Sequence, residues 1–140
     1  MRHRLVTSAD CQLLGELNHQ LIRDEGHRNP MTASDLAERM RNWLKGEYTA
    51  MLFEKDGEVF AYALYRQQPS ETCLRQHFVV RHRRRQGVGR QIVKILMEQI
   101  WARDVRLTVE VLVTNTAAVS FWRNVGYRDY SLTLEIMPPV

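Results

Sequence analysis

The spacing of apolar residues along the first third of the chain predicts two helices. The first is capped by Thr7 or Ser8, and its leucines recur at helical spacing up to about Arg23. These leucines are Leu13, Leu14, Leu17 and Leu21. Thr32 with Asp35 three residues later resembles a capping box, which predicts the start of a second helix. The buried stripe of this helix would contain Leu36, Met40, Trp43 and Leu44, and Gly46 suits its end.

The next part of the chain is rich in β-branched and aromatic residues, which predicts three strands at residues 48–54, 58–66 and 72–80. Lys55, Asp56 and Gly57 separate the first two. An Asp-Gly pair between two such runs is a strong hairpin signal, so these strands should be antiparallel neighbours.

The second half alternates helix and strand. A helical pattern runs from Gly87 to about Arg103, a strand follows at residues 105–113, and Asn115 or Thr116 begins a short helix closed by Gly126. Residues 127–137 form the last predicted strand. With a strand before the first helix, the order β-α-α-β-β-β-α-β-α-β predicts an α/β fold whose mixed sheet has helices on both faces.

Composition narrows the class of protein. The 140 residues are 44% hydrophobic, which suits one domain spanning residues 1–140. No apolar run approaches the roughly 18 residues of a membrane span, so we expect a cytoplasmic protein without a membrane partner. Cys11 and Cys73 lack CxxC spacing and are interpreted as free thiols, and the histidines lack ligand spacing, so no metal is expected.

Positive charge is concentrated in one segment of the chain. The net charge is +4, yet every charged residue between Thr72 and Met97 is basic. These are Arg75, Arg81, Arg83, Arg84, Arg85, Arg90 and Lys94. Such local charge favours an anionic ligand held at one place over a uniformly basic surface.

The centre of this segment joins a strand to a helix through two glycines, Gly87 and Gly89. Glycines let the backbone turn tightly and point several N–H groups at one place, where the helix N-terminus adds partial positive charge. A P-loop would need Lys and Ser or Thr after the second glycine, where this chain has Arg90 and Gln91. A dinucleotide-binding turn would need a third glycine at Ile92.

The remaining pattern, Arg84-x-x-Gly87-x-Gly89, resembles the coenzyme A signature of the GNAT (Gcn5-related N-acetyltransferase) family. The family also places an asparagine after the next strand, followed by an alanine, an aromatic pair and Gly-Phe. This chain has Asn115, Ala118, Phe121-Trp122 and Gly126-Tyr127 at that spacing. The resemblance covers about residues 5–136 and implies an acyl-CoA-dependent N-acetyltransferase.

The resemblance implies a set of coenzyme A contacts. Backbone N–H groups would bind the pyrophosphate, strand residues would pair with the pantetheine arm, and Asn115 would hydrogen-bond that arm from the other side. The pyrophosphate residues are Arg85, Gln86, Gly87, Val88, Gly89 and Arg90, and the strand residues are Phe78, Val79 and Val80. The side chains of Arg84, Arg85 and Arg90 either neutralise phosphate or are solvated.

The chain departs from the family at the acid that protonates the leaving thiolate. That tyrosine is replaced by Trp122, whose indole N–H can only donate a hydrogen bond to sulfur. Either the thiolate leaves without an acid, or Tyr127, Tyr130 or a water replaces it. Tyr127 aligns with the family's phenylalanine, which also suits a core position.

The general base is also uncertain from the sequence, because Cys73 stands where some relatives have a carboxylate. Strand alternation places His77 on the same face as Glu71 and Cys73, so His77 is the first candidate and Glu71 the second. A half-buried structural histidine is the alternative. Near the end of the first helix, Asp24, Glu25 and His27 offer carboxylates for a cationic amine, or else a solvated helix end.

Three functions are compatible with these residues. The first is transfer of an acetyl group from acetyl-CoA to an amine acceptor, either a small molecule or a protein lysine or N-terminus. The second is a non-catalytic acyl-CoA sensor, favoured by the missing tyrosine and carboxylate. A nucleic-acid-binding module is the third, but it lacks interleaved exposed aromatics, so no nucleic acid partner is expected. The last strand could pair two chains in a homodimer.

Overall fold

The computed structural model describes residues 1–140 and contains one mixed sheet with four α-helices. The chain order begins with β1 (Arg2–Leu5), α1 (Cys11–Glu25), α2 (Ala33–Lys45), β2 (Tyr48–Lys55), β3 (Glu58–Gln67) and β4 (Glu71–Val79). It continues with α3 (Val88–Ile95), extended by a π-helical turn at Leu96–Ile100, then β5 (Arg106–Val109) and α4 (Thr116–Asn124). Short 3₁₀ turns lie at Ser8–Asp10 and Arg81–Arg83.

The sheet has the order β1-β2-β3-β4-β5, antiparallel throughout except for the parallel pair β4 and β5. This confirms the predicted mixed α/β class. Asp56 and Gly57 both have positive φ in the predicted hairpin between β2 and β3. The predicted capping box of α2 is also present, because Thr32 and Asp35 exchange hydrogen bonds of 3.0 and 3.1 Å.

Helices cover both faces of the sheet, and β3 shows this most directly. Every residue of β3 from Phe60 to Tyr65 is buried, which happens when both faces of a strand are covered. Tyr62 packs on Phe78 and faces α1 and α2. Tyr65 meets the ring of Trp101 after α3 on the opposite face, at 5.5 Å between centroids.

Two predicted strands differ in the structure. β5 ends at Val109 and not at residue 113, because the chain there leaves β4. The predicted last strand at residues 127–137 is not formed, and the outer edge of β5 has no neighbouring strand. The apolar side chains of this segment are exposed; they are Tyr130, Leu132, Leu134, Ile136 and Met137. Homodimer formation stays a prediction.

The predicted alternation along β4 is also wrong beyond Leu74. Leu64 pairs with Gln76 while Tyr65 pairs with Leu74, so Arg75 is an extra residue in a β-bulge. A one-residue insertion moves every later side chain to the opposite face. Gln76, and not His77, therefore continues the face that begins with Glu71 and Cys73.

Candidate active site

The main concavity of the protein lies where β4 and β5 separate. The two strands pair only over Glu71–Leu74 and Arg106–Val109, so the remaining edge of β4 has no neighbouring strand. A cavity of about 980 Å³ occupies this opening. Its walls come from the end of α1, from β4, from the start of α3, from the chain after β5 and from α4.

At one end of the cavity, the loop before α3 presents unpaired backbone donors. None of the N–H groups of residues 85–90 donates a hydrogen bond within the protein, and Gly87 caps α3 without any side-chain acceptor. Arg85 and Gly87 both have positive φ, at 64° and 73°. Consecutive N–H groups in this geometry at a helix N-terminus form an anion-binding concavity, which we call the cradle.

Gly89 lets the first turn of α3 pack closely against β4 and α4. A Cβ atom at Gly89 would lie 3.4 Å from Cε1 of His77 and 3.5 Å from Cε1 of Phe121. A larger side chain would push the helix away from this support. The two glycines of the motif therefore act differently, because Gly87 shapes the loop and Gly89 sets the depth of the helix.

The arginine side chains of the cradle divide into paired and free ones. Arg84 donates from Nε to the Val79 carbonyl at 2.7 Å and from Nη2 to Asp24 at 2.7 Å. Arg81 also pairs with Asp24, at 2.9 Å. Arg84 thus ties the loop to the end of α1, whereas Arg85 and Arg90 form no ion pair and are exposed. The amide of Gln86 only reaches the His82 carbonyl, at 3.5 Å.

These pairs also set the charge of Asp24. Burial opposes ionisation of the Asp24 carboxyl, but the guanidinium groups of Arg84 and Arg81 outweigh it and hold the pKa of this carboxyl below its usual value. Asp24 is therefore an anion already neutralised by the protein. Only Glu25 of the predicted acidic pair remains without an arginine partner.

The free edge of β4 aims one backbone donor into the cavity. Val80 donates its N–H to Phe60 on β3 at 2.9 Å, so in this antiparallel pair the N–H of the preceding residue, Val79, points to the opposite edge. That edge faces the cavity. Phe78, Val79 and Val80 are buried, at 4%, 8% and 8% exposure, so the strand at this point is firmly held.

The wall opposite β4 contains Asn115 and Trp122. Asn115 is the N-cap of α4, and its Oδ1 accepts a hydrogen bond from the N–H of Ala118 at 3.2 Å. This leaves the amide N–H groups of Asn115 available to the cavity, which the residue lines. Trp122 also lines the cavity and packs against Phe121, with 4.8 Å between ring centroids.

His77 lies in an aromatic cluster on the α3 and α4 side of β4. Its ring stacks on Phe121 at 5.8 Å and meets Trp122 edge-on at 5.3 Å between centroids. Burial lowers its pKa to about 4, against the smaller opposing effect of a hydrogen bond to the Gly89 backbone. Nε2 is buried and has no partner. This packing suits a structural histidine, but His77 also lines the cavity, and its role as a base stays a prediction.

Tyr127 packs edge-on against Trp122 at 5.4 Å and is not part of the cavity wall. Its hydroxyl is buried without a partner, and burial raises its pKa to about 12, with a smaller contribution from Cys73. Tyr130 is exposed and also lies outside the cavity wall. Neither tyrosine therefore contributes to the cavity wall, and their role as the acid stays a prediction.

The carboxylate candidates are separated by the fold. Glu71 lies at the far end of β4 and pairs with Arg106 at 2.8 Å. Glu25 ends α1 and lines the cavity, with its Oε1 2.9 Å from Nε2 of His27. Of the carboxylates that the sequence singled out, Glu25 is the one that lines the cavity without an arginine partner.

The end of the cavity away from the cradle contains residues that the sequence did not identify as functional. Arg39, Arg66 and Arg75 line it together with Tyr48, and we call this end the acceptor chamber. One signal could have found Arg39. It lies three residues after Leu36 and four before Trp43, so it interrupts the predicted apolar stripe of α2 with a charge on the inward side.

The described residues include no group of three or more His, Cys, Asp or Glu side chains that could hold a metal ion. None of the helices combines the length and apolar character that crossing a bilayer requires.

Comparison with known proteins places this site in context. Residues 16–127 match the acetyltransferase (GNAT) family. A mutant of the BH1408 protein from Bacillus halodurans is similar, with a TM-score of 0.82 at 20% identity over 99% of this chain and 100% of that chain. The aminoglycoside antibiotic 6'-N-acetyltransferase of Acinetobacter haemolyticus gives a TM-score of 0.77 at 13% identity, over 100% and 99% of the two chains.

A predicted acetyltransferase from Clostridium acetobutylicum, solved with acetyl-CoA, gives a TM-score of 0.74 at 14% identity and covers 97% of this chain and 95% of that chain. At these identities the similarity establishes a shared fold. No curated protein sequence is a significant match.

Proposed function

Because this chain belongs to the acetyltransferase (GNAT) family, we propose that it transfers the acetyl group of acetyl-CoA directly to a primary amine, most simply that of a small molecule. The observation that carries the proposal is the cradle. Its unpaired N–H groups at residues 85–90 offer donors to a diphosphate, and the exposed Arg85 and Arg90 add charge beside them.

The free edge of β4 supports binding of the pantetheine arm. An extended amide chain can pair with this edge as an added strand, using the outward N–H of Val79 and the amide of Asn115 on the opposite wall. A protein of similar fold was solved with acetyl-CoA, which supports binding of this ligand here. The thioester would then lie between the cradle and the acceptor chamber.

The residues around this point can perform aminolysis of a thioester. Glu25 accepts a proton from the substrate ammonium, and the neutral nitrogen forms a bond to the thioester carbonyl carbon. The outward N–H of Val79 stabilises the oxyanion that develops on the carbonyl oxygen. The nitrogen gives up its second proton to water, the carbon–sulfur bond breaks, and the electron pair leaves with sulfur as the CoA thiolate. The indole N–H of Trp122 donates a hydrogen bond to this thiolate.

Substitution of Gly87 by Glu tests the cradle directly. A side chain at φ 73° costs roughly 1–2 kcal/mol of backbone strain, and the carboxylate adds a negative charge where the diphosphate binds. We expect calorimetry to show at least a 100-fold loss of acetyl-CoA affinity. The matched control is Gly57→Glu, because Gly57 has a φ of 78°, also has open space around it and lies in the hairpin far from the cavity.

Wild-type affinity in Gly87→Glu would contradict the proposal. So would a wild-type protein that binds acetyl-CoA but releases no thiol with any amine of a broad panel, which would identify an acyl-CoA sensor.

A further inference from the structure

The acceptor chamber contains guanidinium groups whose charge the protein leaves unbalanced. Arg39 comes from α2, Arg66 from the end of β3 and Arg75 from the bulge of β4. Neither Arg39 nor Arg75 contacts a carboxylate, and Arg66 reaches only the exposed Glu47 at 3.5 Å. The carboxylates on the wall of the whole cavity are Asp24, Glu25 and Glu110, and Asp24 is already paired with Arg81 and Arg84.

Arg39 and Arg75 both contact the aromatic ring of Trp43. Their guanidinium carbons lie 4.3 and 4.7 Å from the ring centroid of Trp43, and Arg75 also reaches the Tyr48 hydroxyl at 3.4 Å. Burial lowers the pKa of Arg39, and the positive charge of Arg75 lowers it further. Two like charges are thus held against the same aromatic ring by cation–π contacts without a counter-ion.

The chamber also contains buried donors without acceptors. Nε of Arg39 and Nε of Arg66 are both buried and make no hydrogen bond in the protein. Only one donor of Arg39 is used, by Asn18 at 3.1 Å. A buried donor without a partner is destabilising, so such donors are expected where a ligand supplies the acceptor.

These guanidinium groups are too far from the cradle to serve the same phosphates. Arg75 lies four residues before Val79, and a strand rises about 3.3 Å per residue, which separates the two positions by roughly 13 Å. The thioester position lies between them. An anion bound in the chamber therefore belongs to the acceptor and not to the pyrophosphate of coenzyme A.

We propose that the acceptor amine carries a second, negatively charged group, a carboxylate or phosphate, which Arg39 and Arg75 bind in the acceptor chamber. This inference rests on the proposed acetyltransferase function and names its substrate class. It replaces the sequence-based expectation of a cationic amine held by Asp24, Glu25 and His27. Arginine is suited to the role because its planar donors match both carboxylate and phosphate oxygens.

Steady-state assays with four short amines test the proposal at saturating acetyl-CoA. The second functional group is anionic in β-alanine and O-phosphoethanolamine, neutral in ethanolamine and cationic in putrescine. We expect at least one anionic amine to have a kcat/KM tenfold or more above the other two. The anionic amine with the higher kcat/KM shows whether the chamber prefers a carboxylate or a phosphate.

Arg75→Gln and Arg39→Gln should raise KM for the preferred amine roughly tenfold or more, since a hydrogen bond between charged groups is lost. They should leave the KM for ethanolamine and the affinity for acetyl-CoA within threefold. The matched control is Arg23→Gln, an exposed arginine of α1 that lies outside the cavity and forms no ion pair. Glu25→Gln should instead lower kcat for every amine, since it removes the base.

Equal or better use of ethanolamine or putrescine by the wild-type protein would overturn the inference and leave the acetyltransferase proposal standing. Unchanged selectivity in Arg75→Gln and Arg39→Gln would overturn it as well. A wild-type protein that lacks affinity for acetyl-CoA would instead contradict the proposed function itself.

Discussion

The cradle and the acceptor chamber lie at opposite ends of one cavity, but they are built differently. The cradle consists of consecutive backbone groups from a single loop, and its arginines are either paired, as Arg84 is, or exposed, as Arg85 and Arg90 are. In the chamber, side chains from α2, β3 and β4 meet around Trp43 and Tyr48. One end is therefore defined by local backbone geometry and the other by tertiary packing.

This difference distinguishes, in physical terms, a ligand site made of backbone groups from one made of side chains. Backbone donors cannot be changed by most substitutions, so a cradle made of them keeps its ligand while side chains vary. Side chains that meet from distant elements can each be replaced independently. The chamber is therefore the part of the cavity in which acceptor specificity can be set.

The largest effect that should distinguish the two ends comes from Gly15→Ala. A Cβ atom at Gly15 in α1 would lie 2.5 Å from the Ala33 carbonyl oxygen and 2.7 Å from the Ala37 nitrogen of α2. The helices must move apart, and we expect a loss of about 3 kcal/mol in unfolding free energy, at the upper end for overpacking. Because α2 carries Arg39, the acceptor KM should also rise more than the acetyl-CoA Kd.

Urea unfolding and steady-state kinetics measure both effects. Gly46→Ala is the control, since its Cβ would meet nothing closer than 3.6 Å. Wild-type stability in Gly15→Ala would show that α1 and α2 are not in close contact.

The cradle could be predicted from the sequence because neighbouring residues determine its geometry. Gly87, Gly89 and Asn115 stand within short motifs, and turn chemistry and capping follow from the residues themselves. The hairpin at Asp56 and Gly57 was predictable for the same reason. Each of these features depends on a few adjacent residues and on no distant partner.

The chamber could not be predicted in the same way. The bulge at Arg75 arises from the register between β3 and β4, which the residue pattern of one strand does not reveal. Simple alternation along β4 therefore predicted the wrong face for His77. The missing last strand has a similar cause. Residues 127–137 alternate as a strand does, but a strand also needs hydrogen bonds to a partner, and these residues pair with no strand.

Acidification should lower the free energy of unfolding, because His77 is buried beneath the first turn of α3 in its neutral form. The native state keeps this ring neutral with a pKa of about 4, whereas it titrates near 6.5 in the unfolded chain. Between these values the unfolded state binds a proton that the native state does not, so stability falls as the pH drops. We expect a loss of about 2 kcal/mol between pH 7 and pH 5.

Urea unfolding at both pH values measures this loss, and His77→Leu should abolish most of it. His3→Gln, at an exposed position of β1, should retain it. If the wild-type unfolding free energy does not change between pH 7 and pH 5, the native state does not lower the pKa of His77.

The smallest effect separates two roles of Asn115, which caps α4 and faces the cavity. Asn115→Ala removes the acceptor of the Ala118 N–H and should cost about 1 kcal/mol in unfolding free energy. Asn115→Asp keeps an equally good capping oxygen, so its stability should stay within about 0.5 kcal/mol of wild type. Both variants lack the amide donor to pantetheine, and each should bind acetyl-CoA roughly 2–10-fold more weakly.

Calorimetry with acetyl-CoA, together with urea unfolding, distinguishes these two roles. The aspartate variant loses the amide donor but keeps the capping oxygen. If Asn115→Asp binds acetyl-CoA as wild type does, Asn115 serves α4 alone and the cavity wall opposite β4 makes no hydrogen bond to the arm. The cradle end would then depend entirely on backbone donors, and its contrast with the side-chain-built chamber would be sharper still.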